Sequence, residues 1–259
     1  GSGNTAIGFE SLSDFTEDTN SYNTAVGMYS MKTLTSGTRN IAMGYYAMGN
    51  NAAGTDNNNN VAIGGYALYS ASGTNDNVAI GYSAMDDSYM SGNGNVAVGK
   101  SAGSKNSSGY GNVYLGYYAG NEGTNANRNV IIGNQAGQVI SSARQDVIIG
   151  QNAGRYLDTG RFNVMIGDGV GFYTTVGEQN TYLGLSAGAK NVSGSANVCL
   201  GFQAGPSSLV DEDNRLYIAT AEGTPLIGGN FSSDEIYLNG DVGIGTDSPT
   251  TKLDVRGTT

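Results

Sequence analysis

The side chains able to do acid–base or metal chemistry are few in this chain. Acidic pairs stand at Glu17-Asp18 and Asp86-Asp87, with a triplet at Asp211-Glu212-Asp213. Paired carboxylates hydrolyse glycosides, one as general acid and one as base or nucleophile. These, however, fall in long inserts and in the segment after the repeats, where solvated loop acids are the ordinary state of affairs. With no histidine in the chain, histidine-based triads and histidine metal sites are excluded. The acidic runs lack the Asp-x-Asp-x-Asp-Gly spacing of a calcium loop, and Gly243-Ile-Gly245 runs into a proline turn where a phosphate cradle needs a helix. Cys199 is the single cysteine, so no intrachain disulfide forms. It occupies a place where other copies of a repeat carry Ala, Tyr or Ile, and reads as a small packed side chain. We expect no enzyme, no metal and no cofactor.

Aromatic residues are the better candidates for contact. The chain has 17 tyrosines and no tryptophan. Tyr45, Tyr46, Tyr66, Tyr82, Tyr117 and Tyr118 all follow a recurring glycine, as do Phe9, Tyr29 and Phe202, so they line one edge of whatever the repeats build. Such rings stack on sugars and anchor protein interfaces. Filling the groove between neighbouring chains is the competing role, and the preferred one. Inserts at 13–22, 49–59 and 86–94 offer another variable surface.

What must position these rings is a repeat. Copies of Asn-Val-Ala-Val-Gly start at Asn4, Asn23, Asn40, Asn60, Asn77, Asn95, Asn112, Asn129, Asp146, Asn163, Asn180 and Asn197, and the step settles at 17 from Asn95 onward. A short fixed period marks a solenoid, in which each unit touches only its neighbours. Counting from the Asn, position 5 is glycine throughout, including Gly99, Gly116, Gly133, Gly150, Gly167 and Gly184. Positions 2 and 4 are Val, Ile, Leu, Met or Thr, and position 3 is mostly Ala and later bulkier. Period-two alternation makes this a strand with two apolar faces. Positions 2 and 4 are expected inside, with positions 3 and 8 forming a second face that needs a partner. Position 9 changes from Leu or Met in the first five copies to Gly in the last seven.

Asn95, Asn112, Asn129, Asn163, Asn180 and Asn197 are expected to stack as an amide ladder, with Asp146 the exception. A flat ice-type surface would want a threonine array instead, and none is present. The fold class is therefore all-β: a parallel β-roll or β-solenoid of about twelve 17-residue coils over 1–205, irregular over 1–94 and regular over 95–205. A β neck over 206–239 and a stem over 240–259 follow. One coil buries too little to stand alone against its ordering entropy, so self-association of parallel rolls around an axis is expected.

The net charge of −10 and the lack of a basic cluster exclude a nucleic-acid partner. No apolar run approaches the ~18 residues of a membrane helix, so no membrane insertion is expected. The chain opens inside a repeat, with Gly1-Ser2 reading as an expression scar, and so reads as a piece of something longer.

The Asn-Thr-Ala-Ile-Gly and Asn-Val-Ala-Val-Gly copies resemble the head repeats of trimeric autotransporter adhesins, which implies a left-handed parallel β-roll trimer. The tail, Thr224-Pro-Leu-Ile-Gly-Gly-Asn-Phe and then Val242-Gly-Ile-Gly-Thr-Asp-Ser-Pro-Thr-Thr-Lys-Leu-Asp-Val, is similar to the segment preceding the intramolecular chaperone of endosialidase-type phage tail fibres. Together the resemblances imply a virion tail-fibre segment, of a phage or a phage-like contractile injection particle. It would sit outside the cell, bind a host surface glycan or outer-membrane protein, and fold with a C-terminal chaperone. The alternative they imply is the head of a bacterial surface adhesin. Neither resemblance transfers catalysis to any residue.

Overall fold

The computed structural model describes residues 3–16, 21–51, 55–87 and 90–257. Gly1-Ser2, the pair Glu17-Asp18 and parts of the three inserts lie outside the described residues. No helix occurs among the described residues. Each repeat contributes one three-residue strand: β1 (Thr5–Ile7), β2 (Thr24–Val26), β3 (Ile41–Met43), β4 (Val61–Ile63), β5 (Val78–Ile80), β6 (Val96–Val98), β7 (Val113–Leu115), β8 (Val130–Ile132), β9 (Val147–Ile149), β10 (Val164–Ile166), β11 (Thr181–Leu183) and β12 (Val198–Leu200). Neighbours pair in parallel and in repeat register, Val96 with Val113, Ala97 with Tyr114 and Val98 with Leu115. The result is a β-solenoid of about twelve turns.

Glycine ends each strand because two constraints coincide there. At Gly150 the backbone has φ +135°, and a Cβ would lie 2.2 Å from the carbonyl oxygen of Gly167 on the next coil. Any side chain would prise the coils apart. Three further corners per coil lie in the left-handed region, at the residue before position 1 and at positions 7 and 9. In the third coil these are Arg39 (φ 58°), Tyr46 (φ 52°) and Met48 (φ 47°).

The interior is the reverse of the sequence expectation. Position 3 points inward: Ala25, Ala42, Ala79, Tyr114, Ile131, Ile148, Met165 and Tyr182 are all fully buried. Positions 8 and 9 join it, through Ala47 and Met48 or Ala67 and Leu68. Positions 2 and 4 face outward, with Ile41 39%, Met43 43% and Leu115 44% exposed. Alternation fixes two faces without saying which is inside, and here both are apolar. Volume decides it. A closed narrow coil accepts alanine, or one large group opposite a glycine, whereas a Val and an Ile side by side fit only on the convex side.

Beyond β12 the sheet continues through β13 (Arg215–Ile218), which pairs in parallel, and then reverses through antiparallel β14 (Ile227–Asn230) and β15 (Glu235–Leu238). A separate pair, β16 (Val242–Ile244) and β17 (Leu253–Val255), is parallel.

Candidate functional site

Three columns of side chains run along the stacked coils. The first is the amide ladder. The Asn112 backbone N–H donates to Asn95 Oδ1 at 2.9 Å, and its side-chain Nδ2 donates to the same oxygen at 3.1 Å and to the Ala126 carbonyl at 2.7 Å. Asn129, Asn180 and Asn197 repeat the pattern onto Asn112, Asn163 and Asn180. The chain of bonds reaches from Asn4 to the Arg215 N–H, which donates to Asn197 Oδ1 at 2.8 Å. Asn95, Asn112, Asn129 and Asn180 are fully buried, and Asn163 and Asn197 nearly so. Position 1 thus supplies the bonds that the sharp corner denies to the backbone. No ligand reaches the column from solvent.

Asp146 is the fault in this ladder. Its Oδ1 accepts from the Asn163 N–H at 2.8 Å and from Asn163 Nδ2 at 3.0 Å. Its Oδ2 is buried without a hydrogen-bond partner. Burial, the dominant cause, pushes its carboxyl up to about 7, against the lowering bonds from Asn163. The other acids are occupied otherwise. Asp211 Oδ1 accepts from the Ser193 N–H, Asp213 Oδ1 from the Ser195 N–H, and Glu212 Oε2 from the Tyr217 hydroxyl. They hold the last coil to the strand beyond it. Burial raises the Asp86 carboxyl above its ordinary value, with neighbouring Asp87 adding a little. Cys199 is buried, and burial pushes its thiol up to about 12, so it packs as an inert hydrophobe.

The second column is the outward strand face. Positions 2 and 4 of twelve coils form a two-residue-wide stripe, apolar except at Thr5, Thr24 and Thr181, of which every residue is partly or largely exposed among the described residues. At ~4.8 Å per coil and ~10 Å of width, it amounts to roughly 600 Å². That is as much as a monomer leaves exposed in its largest apolar patch.

The third column is aromatic, and the structure splits the six tyrosines singled out from sequence. Tyr45, Tyr46, Tyr66 and Tyr82 belong to one continuous cluster with Phe9 and Tyr29. Tyr45 meets Tyr46 edge-on at 4.7 Å, Tyr46 stacks on Tyr66 at 5.8 Å and 9°, and Tyr66 meets Tyr82 at 5.9 Å. Tyr117 and Tyr118 pair only with each other among the described rings, at 4.3 Å, because the intervening coil carries Lys100 and Ser101. Desolvation raises the Tyr46 and Tyr66 phenols, so both remain protonated donors.

Sequence reasoning missed a second aromatic group, Tyr156 with Phe172 and Tyr173, over which Arg155 lies. It also missed a second amide column in which Asn58 accepts from the Thr38 N–H and Asn75 from the Asn58 N–H. The 17-residue spacing of Asn58 and Asn75 was the available signal. No protein-family model, curated protein or solved structure matches the chain.

Proposed function

We propose that the chain is a rigid segment of a homotrimeric fibre, a phage tail fibre or the fibre of a phage-like contractile injection particle, that spaces and presents a host-contacting surface outside the cell. One observation carries the reading: the largely apolar stripe of positions 2 and 4, broken only by Thr5, Thr24 and Thr181, of which no residue is fully buried by the described part of the chain. Covering one half-exposed Val or Ile stabilises by roughly 1 kcal/mol. Repeated over twelve coils, the sum exceeds the several kcal/mol that association costs. A stripe carried in register from coil to coil suits parallel association of identical copies, because every coil meets its own equivalent. The likeness of the repeats to trimeric adhesin heads supports three copies, and the likeness of the tail to fibre stems supports the fibre over a free adhesin head.

Light scattering tests it. We expect a mass of about 80 kDa, three copies of 26.6 kDa, and a smaller mass with unchanged circular dichroism for Ile132→Glu combined with Ile149→Glu. A folded wild-type monomer at micromolar concentration would refute the assembly.

A further inference from the structure

We propose that the ring column over the first five coils is a binding platform for a neutral polysaccharide laid along the coil-stacking axis. The inference deepens the fibre reading by giving its contact surface a ligand class, and it rests on that reading only for its biological setting.

The fold does not require rings there. Position 7 is a left-handed corner in every coil, with Tyr29 at φ 60°, Tyr46 at 52° and Tyr66 at 58°. A bulky residue in that region carries a backbone cost. Later coils place Ser83, Ser101, Gln135, Asn152 or Gly169 at the same corner with the same φ sign. A tyrosine is thus replaceable as far as the coil is concerned, and its recurrence in consecutive coils points to a task other than folding.

The column is also built as a platform. Tyr29, Tyr46 and Tyr66 form a half-buried floor, on which the position-6 rings Phe9, Tyr45 and Tyr82 stand 62%, 41% and 54% exposed. Edge-to-face contacts at 5.6 Å (Phe9–Tyr29) and 5.4 Å (Tyr45–Tyr66) hold those rings at fixed tilts, so little rotamer freedom is lost when a ligand lands. Because the rings pack on one another within one chain, they need no neighbouring copy to fill a groove. The exposed rings Phe9, Tyr45 and Tyr82 stand on alternate coils, the first, third and fifth, so at ~4.8 Å per coil they lie about 10 Å apart, close to the length of two pyranose units in an extended chain, and every second sugar meets an exposed ring.

Charge selects the class. Lys32, the cation nearest the rings, sits 4.7 Å from the centre of Tyr29 and is paired with Glu10 at 2.6 Å, leaving the patch neutral. On a chain of net charge −10 an anionic polymer is repelled. Sugar C–H faces against rings and sugar hydroxyls against phenols need no net charge.

Affinity electrophoresis through gels containing a neutral glucan, galactomannan or xylan, with heparin as the anionic control, tests this on the full chain. We expect retardation by at least one neutral polymer and none by heparin. Tyr46→Ser with Tyr66→Ser installs residues that other coils already carry at the same corner. It should weaken binding at least tenfold at unchanged melting temperature and unchanged mass, while Tyr117→Gln with Tyr118→Ser should leave binding intact. Absence of retardation by all three neutral polymers, retention by heparin alone, or equal retention of the Tyr46/Tyr66 variant would overturn the proposal. So would a drop in assembly mass in that variant, which would place the rings between chains. A wild-type monomer that still binds the glycan through these rings would sink the fibre reading and leave this one standing.

Discussion

In the third coil the interior holds Ala42 and Met48; in the eighth it holds Ile131 and Gly137, where a Cβ on the glycine would sit 3.1 Å from Ile131 Cδ1. The first five coils place alanine on the strand and a large residue at position 9, and the coils from the seventh onward exchange the two; the sixth, with Ala97 and Gly103, is filled from the coil after it. At the seventh coil the exchange is extreme. The Tyr114 ring occupies the space of two glycines, since a Cβ on Gly103 would lie 2.6 Å from its Cδ2 and one on Gly120 2.2 Å from its Cε1. The layer thickness is common to all coils, so the volume per layer is held while its source moves.

Backbone strain moves with it. Position 9 is left-handed in both regions, but Leu12, Met31, Met48, Leu68 and Met85 occupy it early, where Gly120, Gly137 and Gly154 occupy it late. Each early coil therefore stores on the order of 1 kcal/mol that the late coils avoid. The strained coils are also those bearing the continuous aromatic column and the long inserts. The relaxed, strictly periodic coils read as the structural stretch of the rod.

The largest effect should come from Tyr114→Ala in the late region. Neither flanking glycine can fill the hole, so a loss of about 4 kcal/mol is expected in a denaturant melt. A loss under 1 kcal/mol would mean that the late interior is not filled from position 3.

Next is the pH response of Asp146, a fault that only the late coils carry. Its carboxyl is raised from 3.8 to about 7 by burial. The stabilisation is therefore fully present below pH 3.8 and lost as pH rises through 7, by roughly 4 kcal/mol in all. Asp146→Asn restores an amide whose Nδ2 finds the position taken by its neighbours' donors. It should raise the melting temperature at pH 8 and flatten the slope between pH 4 and 8. An unchanged slope would locate the titration elsewhere.

The ladder is common to both regions and serves as their internal control. Asn40→Ala and Asn112→Ala each orphan the next coil's N–H and a carbonyl, at Asn60 and Asn57 in the first case and Asn129 and Ala126 in the second. Each should cost about 2 kcal/mol, equally in the two regions. Unequal costs would mean that the ladder does not run with one strength.

Much of this was legible in the sequence: the strands, the stacked Asn column and the break at position 9 all follow from the period. The face assignment was not, because Val96 and Ala97 are both apolar and alternation has no sign. The signal was present in the anticorrelation of volumes between positions 3 and 9, as in Ala42 with Met48 and Ile131 with Gly137. The left-handed corners were hidden because Tyr46, Arg39 and Gln135 carry no local preference for that region; stacking imposes it. The lone oxygen of Asp146 follows from burial, which one repeat read alone does not reveal.

The exchange of volume is tested most directly by a double-mutant cycle in the third coil, read by chemical denaturation. Met48→Gly alone should cost about 2 kcal/mol net, cavity loss partly offset by relief of the left-handed methionine, and Ala42→Ile alone should cost about 1–2 kcal/mol by overpacking. Together they rebuild the eighth coil's pair, and the double variant should lie within about 1 kcal/mol of wild type, with both single losses largely cancelled. Strictly additive losses would contradict the complementary filling of the two regions.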